Sequence, residues 1–179
     1  MNEKLYEVLC ARERRVVYQK KLLKKYDLPL LSITLNIPGA EKDNEQIRKI
    51  FQICLRAVKN ELRKNENTRC LFEQKHFTAA GPEGFFIIKG LSEKELKKIA
   101  ISVEDVHPLG RLFDIDVVSR NGHKIYRKDV GNPLRKCIIC KNTAIDCIAS
   151  RKHSRKEVIK IVREMINDFV SLKSNLNKA

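Results

Sequence analysis

The segment His107-Pro108-Leu109-Gly110-Arg111-Leu112-Phe113-Asp114-Ile115-Asp116-Val117-Val118 carries the densest chemistry in the chain. In a strand, residues two apart share a face, so Asp114 and Asp116 project together with Cα atoms about 6.6 Å apart. Phe113, Ile115 and Val117 then form an apolar face on the other side. Two carboxylates aimed at one place repel unless a cation or a proton lies between them. Hard divalent cations such as Mg²⁺ (or Mn²⁺) take few protein carboxylates and complete their shell with phosphate oxygens, so Asp114 and Asp116 are candidate metal ligands beside a triphosphate. The same pattern also reads as a solvated strand face paired with Lys or Arg. Arg111 offers a fork for phosphate oxygens, and Gly110 lets a backbone N–H come close to one. Each alone is equally an ordinary surface Arg or turn residue. His107 reads as a base, a phosphate donor or simply a partly buried side chain.

Cys137-x2-Cys140-x6-Cys147-x5-His153 places three thiols and an imidazole close together. Such a set can satisfy tetrahedral Zn²⁺, although the spacing is not that of a standard finger or ribbon. Cys137 and Cys147 also read as small core residues, as do Cys10, Cys54 and Cys70. Arg135, Lys136, Lys141, Arg151, Lys152, Arg155 and Lys156 surround this cluster. Positive side chains at the start of a helix are opposed by its dipole, a conflict that points to anion binding or to a solvated basic face. The turn Asn36-Ile37-Pro38-Gly39, followed by Lys42, is a third place where backbone N–H groups and a cation could meet phosphate. The Gly-x4-Gly-Lys pattern of a Walker loop is absent.

These groups need a scaffold. Residues 2 to 25 read as a helix with Leu5, Val8, Leu9, Val16, Leu22, Leu23 and Tyr26 on its apolar stripe, ended by Pro29. Leu30 to Leu35 reads as a buried strand. Asp43 caps a second helix, with Gln46 in the capping-box position and a stripe running from Ile47 to Leu62. Residues 69 to 78 and 85 to 89 read as strands around a turn at Gly81-Pro82-Glu83-Gly84. Ser92 and Glu95 open a third helix. Leu112 to Val118 and Lys124 to Arg127 form a hairpin about Asn121-Gly122. Ser154, with Glu157, opens a last helix burying Val158, Ile161, Val162, Met165, Ile166 and Phe169. Strands and helices mix without βαβ alternation, which predicts an α+β fold: a single domain over 1–172, a mixed sheet flanked by helices, and a frayed tail at 173–179.

Across 179 residues, 37 Lys+Arg against 22 Asp+Glu give a net charge of +15, which favours an anionic partner. Aromatic residues are 6% and Trp is absent, which counts against base-stacking single-strand binders. No run approaches 18 apolar residues, so no membrane span is expected. The N-terminus lacks a secretory pattern, so the expected localisation is cytoplasmic, where cysteines are thiols or metal ligands.

Five blocks, in order, resemble a known family: Leu35 to Gly39 with Lys42; Gly81-Pro82-Glu83; His107 to Val117; Arg135 to Cys140; and Cys147 with Arg151 to Ser154. The chain resembles apo-citrate lyase phosphoribosyl-dephospho-CoA transferase, also called citrate lyase holo-[acyl-carrier protein] synthase. One departure is Ala149, where the family tends to carry Arg; it leaves Arg151 as the nearer basic candidate. The resemblance implies transfer of a phosphoribosyl-dephospho-CoA group from 2′-(5″-triphosphoribosyl)-3′-dephospho-CoA to a serine of the citrate lyase acyl-carrier (gamma) subunit, with release of pyrophosphate. A related malonate decarboxylase enzyme extends the likeness, by analogy, to a nucleotidyltransferase-like fold. With that chemistry, Asp114 and Asp116 hold the metal and act catalytically. Arg111, Arg135, Arg151, His153 and Lys42, with Asn36, Gly39 and Gly110, hold phosphates. Asp116, Glu83 or Glu104 takes the serine proton. No membrane or nucleic-acid partner is expected on this reading. The competing reading is a zinc-stabilised nucleic-acid-binding module built on the Cys/His cluster and the basic tail.

Overall fold

The computed structural model describes residues 3–176. Along the chain run α1 (Glu3–Tyr26), β1 (Leu30–Leu35), α2 (Glu45–Leu62), β2 (Arg69–Thr78), β3 (Gly81–Lys89), α3 (Glu93–Val106), β4 (Phe113–Val118), β5 (Lys124–Ile125), α4 (Ala144–Ala149) and α5 (Arg155–Leu176). The strands form one sheet in the order β2-β3-β1-β4-β5. The architecture is α+β, but every pairing is antiparallel rather than mixed. The central place of β1 explains why Leu30 to Ile33 are all buried: both faces of the strand are covered there.

One face packs under α2, α3 and α5. Leu31, Ile33, Phe86, Ile88, Phe113, Ile115 and Val117 meet Phe51, Leu55, Val58, Leu96, Val103, Val162 and Ile166 there. The other face is partly covered by the C-terminal half of α1, where Leu22 and Leu23 meet Leu30, Phe85, Ile87 and Val118. Of the stripe expected along α1, Leu22 and Leu23 are buried against the sheet, whereas Leu5, Leu9 and Val16 are exposed. Asp27 in the left-handed region (φ 49°) closes α1 ahead of Pro29.

Several local expectations shift. Asn44, not Asp43, caps α2, accepting from the Ile47 amide at 2.8 Å, while Asp43 binds Arg48. The hairpin turns at Ala79-Ala80, so 81–84 lie inside β3. Gly84 fits there because a Cβ would stand 3.2 Å from Leu55 and Phe51. Cys70 is exposed beside a register shift in β2, whereas Cys54 is buried as expected. The capping boxes at Ser92–Glu95 and Ser154–Glu157 are both present. Only two residues of β5 pair with β4, and α4 had no signal in the sequence pattern. The helix α5 continues to Leu176, and residues 177–179 of the expected tail lie outside the described residues.

Candidate active site

The antiparallel ladder between β1 and β4 sets Thr34 opposite Asp114 and Ser32 opposite Asp116. Phe113, Ile115 and Val117 go into the core, so both carboxylates project from the opposite face, as alternation requires. Asp114 accepts from the Thr34 hydroxyl at 3.2 Å, and Asp116 pairs with Lys124 at 2.7 Å. Burial and the charge of Asp114 raise the proton affinity of Asp116, against the pull of Lys124 and Lys97. The carboxylates therefore feel one another, and a cation between them would relieve that repulsion.

Because β5 is short, β4 has an open edge, and side chains take the place of the missing strand. Glu104, buried on α3, accepts from the Ile115 amide at 2.9 Å. Lys97 donates to the Ile115 carbonyl at 3.3 Å, and Arg135 donates to the Phe113 carbonyl at 2.6 Å. Glu104 also pairs with Arg127 at 2.8 Å and Arg135 at 2.7 Å. This network involves two residues singled out in the sequence. Arg135 braces β4 and has its charge paired with Glu104. Glu104 is held between two guanidinium groups. Glu83 is likewise buried and bound to Arg15 at 2.7 Å.

Gly110 is held within the chain. Its N–H is donated to the His107 carbonyl, and a Cβ there would stand 2.2 Å from the Glu104 carbonyl oxygen. It lets the chain pass tightly under α3, and its amide is not available to a phosphate. His107 ends α3, accepts from the Leu109 amide and stacks on Phe113 and Phe169.

A cavity of about 550 Å³ opens at the end of the β1–β4 ladder. Its walls are apolar (Pro38, Ile138, Ala144, Ile148, Val158, Val162), with Asn36, Arg111, Arg151, His153, Ser154 and Arg155 supplying polar groups. Of the expected phosphate ligands, the structure gathers Asn36, Arg111, Arg151 and His153 here. Asp114 and Asp116 do not line it. Asn36 follows Thr34 by two residues and donates its amide to the Leu112 carbonyl at 2.8 Å, so the acid pair begins about 7 Å along the ladder from the cavity. Arg111 donates to the Lys136 carbonyl, while its Nε is buried without a hydrogen-bond partner.

Gly39 lines a neighbouring cavity of about 390 Å³, and Arg155 lines both. Lys42 donates to the Ile37 carbonyl at 2.6 Å. Burial, with the charges of Arg12 and Arg155, lowers its proton affinity. Sequence spacing gave no sign of Arg12, because it comes from the far end of the chain. A half-buried ammonium facing two guanidinium groups is a place where an anion would be stabilised.

The fourth feature is the Cys/His cluster. Donor atoms of Cys137, Cys140, Cys147 and His153 all lie within 4.8 Å of one another, near enough to bind a metal. Burial works against the Cys137 thiolate, yet amides of Ile139 and Cys140 aimed at its sulfur, with the neighbouring thiols, bring it down to about 6. Burial and hydrogen bonds with Cys140 and Cys137 push Cys147 up to about 12. Among the described residues no helix is long and apolar enough to cross a membrane.

A family model described as apo-citrate lyase phosphoribosyl-dephospho-CoA transferase matches residues 3–169. A Vibrio cholerae serotype O1 protein named probable apo-citrate lyase phosphoribosyl-dephospho-CoA transferase is 37% identical over 165 residues, covering 92% of each chain. An Escherichia coli O1:K1 / APEC protein named apo-citrate lyase phosphoribosyl-dephospho-CoA transferase is 33% identical over 162 residues, covering 90% of this chain and 87% of its own. On this match the chain belongs to the apo-citrate lyase phosphoribosyl-dephospho-CoA transferase family.

Proposed function

We propose that this chain transfers the phosphoribosyl-dephospho-CoA group of 2′-(5″-triphosphoribosyl)-3′-dephospho-CoA to a serine of the citrate lyase acyl-carrier (gamma) subunit, in the cytoplasm. The observation that carries this reading is a carboxylate pair on one face of β4, about 7 Å along the β1–β4 ladder from an amphipathic, arginine-rimmed cavity. The serine oxygen attacks the α-phosphorus, a new phosphodiester bond forms, and the bond to pyrophosphate breaks. Such a step needs positioning and charge neutralisation more than covalent help. Asp114 and Asp116 would hold Mg²⁺ (or Mn²⁺), which when bound neutralises the triphosphate and stabilises the departing pyrophosphate. Arg111, Arg151 and Arg155, with Asn36, would grip the substrate in the cavity, and His153 would sit in its wall as a metal ligand. Lys42, with Arg12 and Arg155 near it, would draw the polyphosphate towards the 36–42 turn. Asp116, paired with Lys124 but partly exposed, would take the serine proton in preference to Glu83 and Glu104, which are buried against guanidinium groups. Carrier subunits of this kind are acidic, so a net charge of +15 would steer the encounter. The Cys₃His group would hold Zn²⁺, because soft thiolates and imidazole favour that ion over a hard one.

The test mixes the protein with apo carrier subunit, the triphosphoribosyl precursor and Mg²⁺, and reads intact-protein mass. A gain of one prosthetic group on a single serine is expected, and its absence with freshly folded protein overturns the reading. Asp114→Asn and Asp116→Asn should each reduce the rate by about 10³-fold while the fold is kept. Near-wild-type rates in both would remove the acid pair from the mechanism.

A further inference from the structure

We infer that Cys137, Cys140, Cys147 and His153 form a zinc site that fastens one wall of the substrate cavity, making affinity for the dephospho-CoA portion depend on a metal remote from the reacting phosphate. This rests on the transferase reading above.

The donor geometry comes first. Cys140 and Cys147 sulfurs lie 3.5 Å apart, and His153 Nε2 lies 3.3 Å from the Cys140 sulfur. A tetrahedral zinc with Zn–S of about 2.3 Å has sulfur–sulfur edges of about 3.8 Å, so these groups need little movement to close on an ion. Cys137 and Cys140 sit in a small hairpin closed by the Lys136–Thr143 bridge, and the Ile139 amide points at the Cys137 sulfur at 3.4 Å. Four protein donors leave no open position, which is the arrangement of a structural rather than a catalytic zinc.

The second argument is the poverty of the surrounding segment. Between residues 134 and 154, Cys147 alone is buried. The helix α4 has six residues, and its Ile145 and Ile148 are 60% and 76% exposed. A stretch with so little apolar burial cannot order itself by packing, and metal binding is a way to supply the missing free energy.

The third is position. Cys137, Cys147 and His153 line the cavity, and Cys140 does not. Arg151, two residues before His153, holds a left-handed backbone (φ 50°), unfavourable for a residue with a side chain unless its surroundings fix it. Arg111 reaches across to the Lys136 carbonyl, adjacent to Cys137. Closing the four donors therefore fixes both arginines in the same wall.

Cys140→Ser separates loss of metal from loss of cavity contact. The full chain is purified under reducing conditions and its zinc measured by elemental mass spectrometry. Binding of 3′-dephospho-CoA is measured by calorimetry. One zinc per chain is expected in the wild type, and little in Cys140→Ser. The variant should bind 3′-dephospho-CoA about tenfold more weakly, or worse, with its far-UV circular dichroism retained. If Cys140→Ser fails to fold, the wild type answers alone. Chelation should lower the affinity, added Zn²⁺ should restore it, and Co²⁺ in its place should give thiolate charge-transfer and tetrahedral d–d bands. Wild-type protein that takes up neither ion overturns the inference. So does affinity for 3′-dephospho-CoA that is undetectable in the zinc-loaded protein or unchanged when zinc is removed. Transfer to the carrier subunit can persist through those failures. Its absence in zinc-loaded protein that binds 3′-dephospho-CoA would instead overturn the transferase reading.

Discussion

Replacing Glu104 by Gln tests whether the carboxylate beneath the acid pair is a brace or a proton acceptor. Glu104 is 4% exposed, and its two guanidinium partners, Arg127 and Arg135, are 10% and 19% exposed. Removing one partner of a buried ion pair costs about 3–5 kcal/mol, because the other charge stays desolvated. Gln still offers an oxygen to the Ile115 amide, and Asp105 still holds Arg127, so the lower end applies, about 3 kcal/mol. For a chain of this size that is a fall in Tm of about 6–12 °C. Urea denaturation should show a lower midpoint with the slope unchanged, since the surface exposed on unfolding is the same. Well below its Tm, the variant should transfer within about tenfold of the wild type, because Glu104 braces the edge of β4 and does not line the cavity. A stability loss under about 1 kcal/mol would show that the two guanidinium groups do not depend on this carboxylate. A loss of about 10³-fold in rate from a folded variant would make Glu104 the base and refute the argument.

Other perturbations probe the neighbouring groups. Burial and Asp114 raise the folded-state pKa of Asp116, so its favourable contribution is complete below the unfolded value and is lost as pH rises through the folded one. Asp116→Asn should therefore gain stability relative to the wild type as pH rises above the ordinary carboxylate range, and a pH-independent difference would contradict the shift. Gly110→Ala forces a Cβ to within 2.2 Å of the Glu104 carbonyl oxygen and should cost about 3 kcal/mol, read from its denaturation midpoint. Lys42→Met should reduce kcat/KM for the triphosphoribosyl substrate by about 10–100-fold while leaving stability unchanged or improved, because a cation crowded by Arg12 and Arg155 is removed. Unaltered kinetics in that variant would take the 36–42 turn out of the polyphosphate site.

What could be read from the sequence was whatever depends on neighbours a few residues away. Alternation alone put Asp114 and Asp116 on one face of a strand and Phe113, Ile115 and Val117 on the other. The capping boxes at Ser92 and Ser154 and the periodic stripe of α2 are short-range patterns of the same kind. Cys137, Cys140, Cys147 and His153 were visible as a set because they lie close in sequence. Tertiary structure decided the assignments that depend on distant partners. That Arg135 pairs with Glu104, 31 residues earlier, could not be read from local spacing. Gly110 resembled a phosphate loop until α3 was seen passing over it. The apolar stripe of α1 was real as a pattern, yet of the residues expected on it Leu22 and Leu23 are buried against the sheet and Leu5, Leu9 and Val16 are not. Local spacing fixes which way a side chain points relative to its own backbone; which partner it meets depends on how separate elements pack, and the choice among phosphate, carboxylate and solvent is made there.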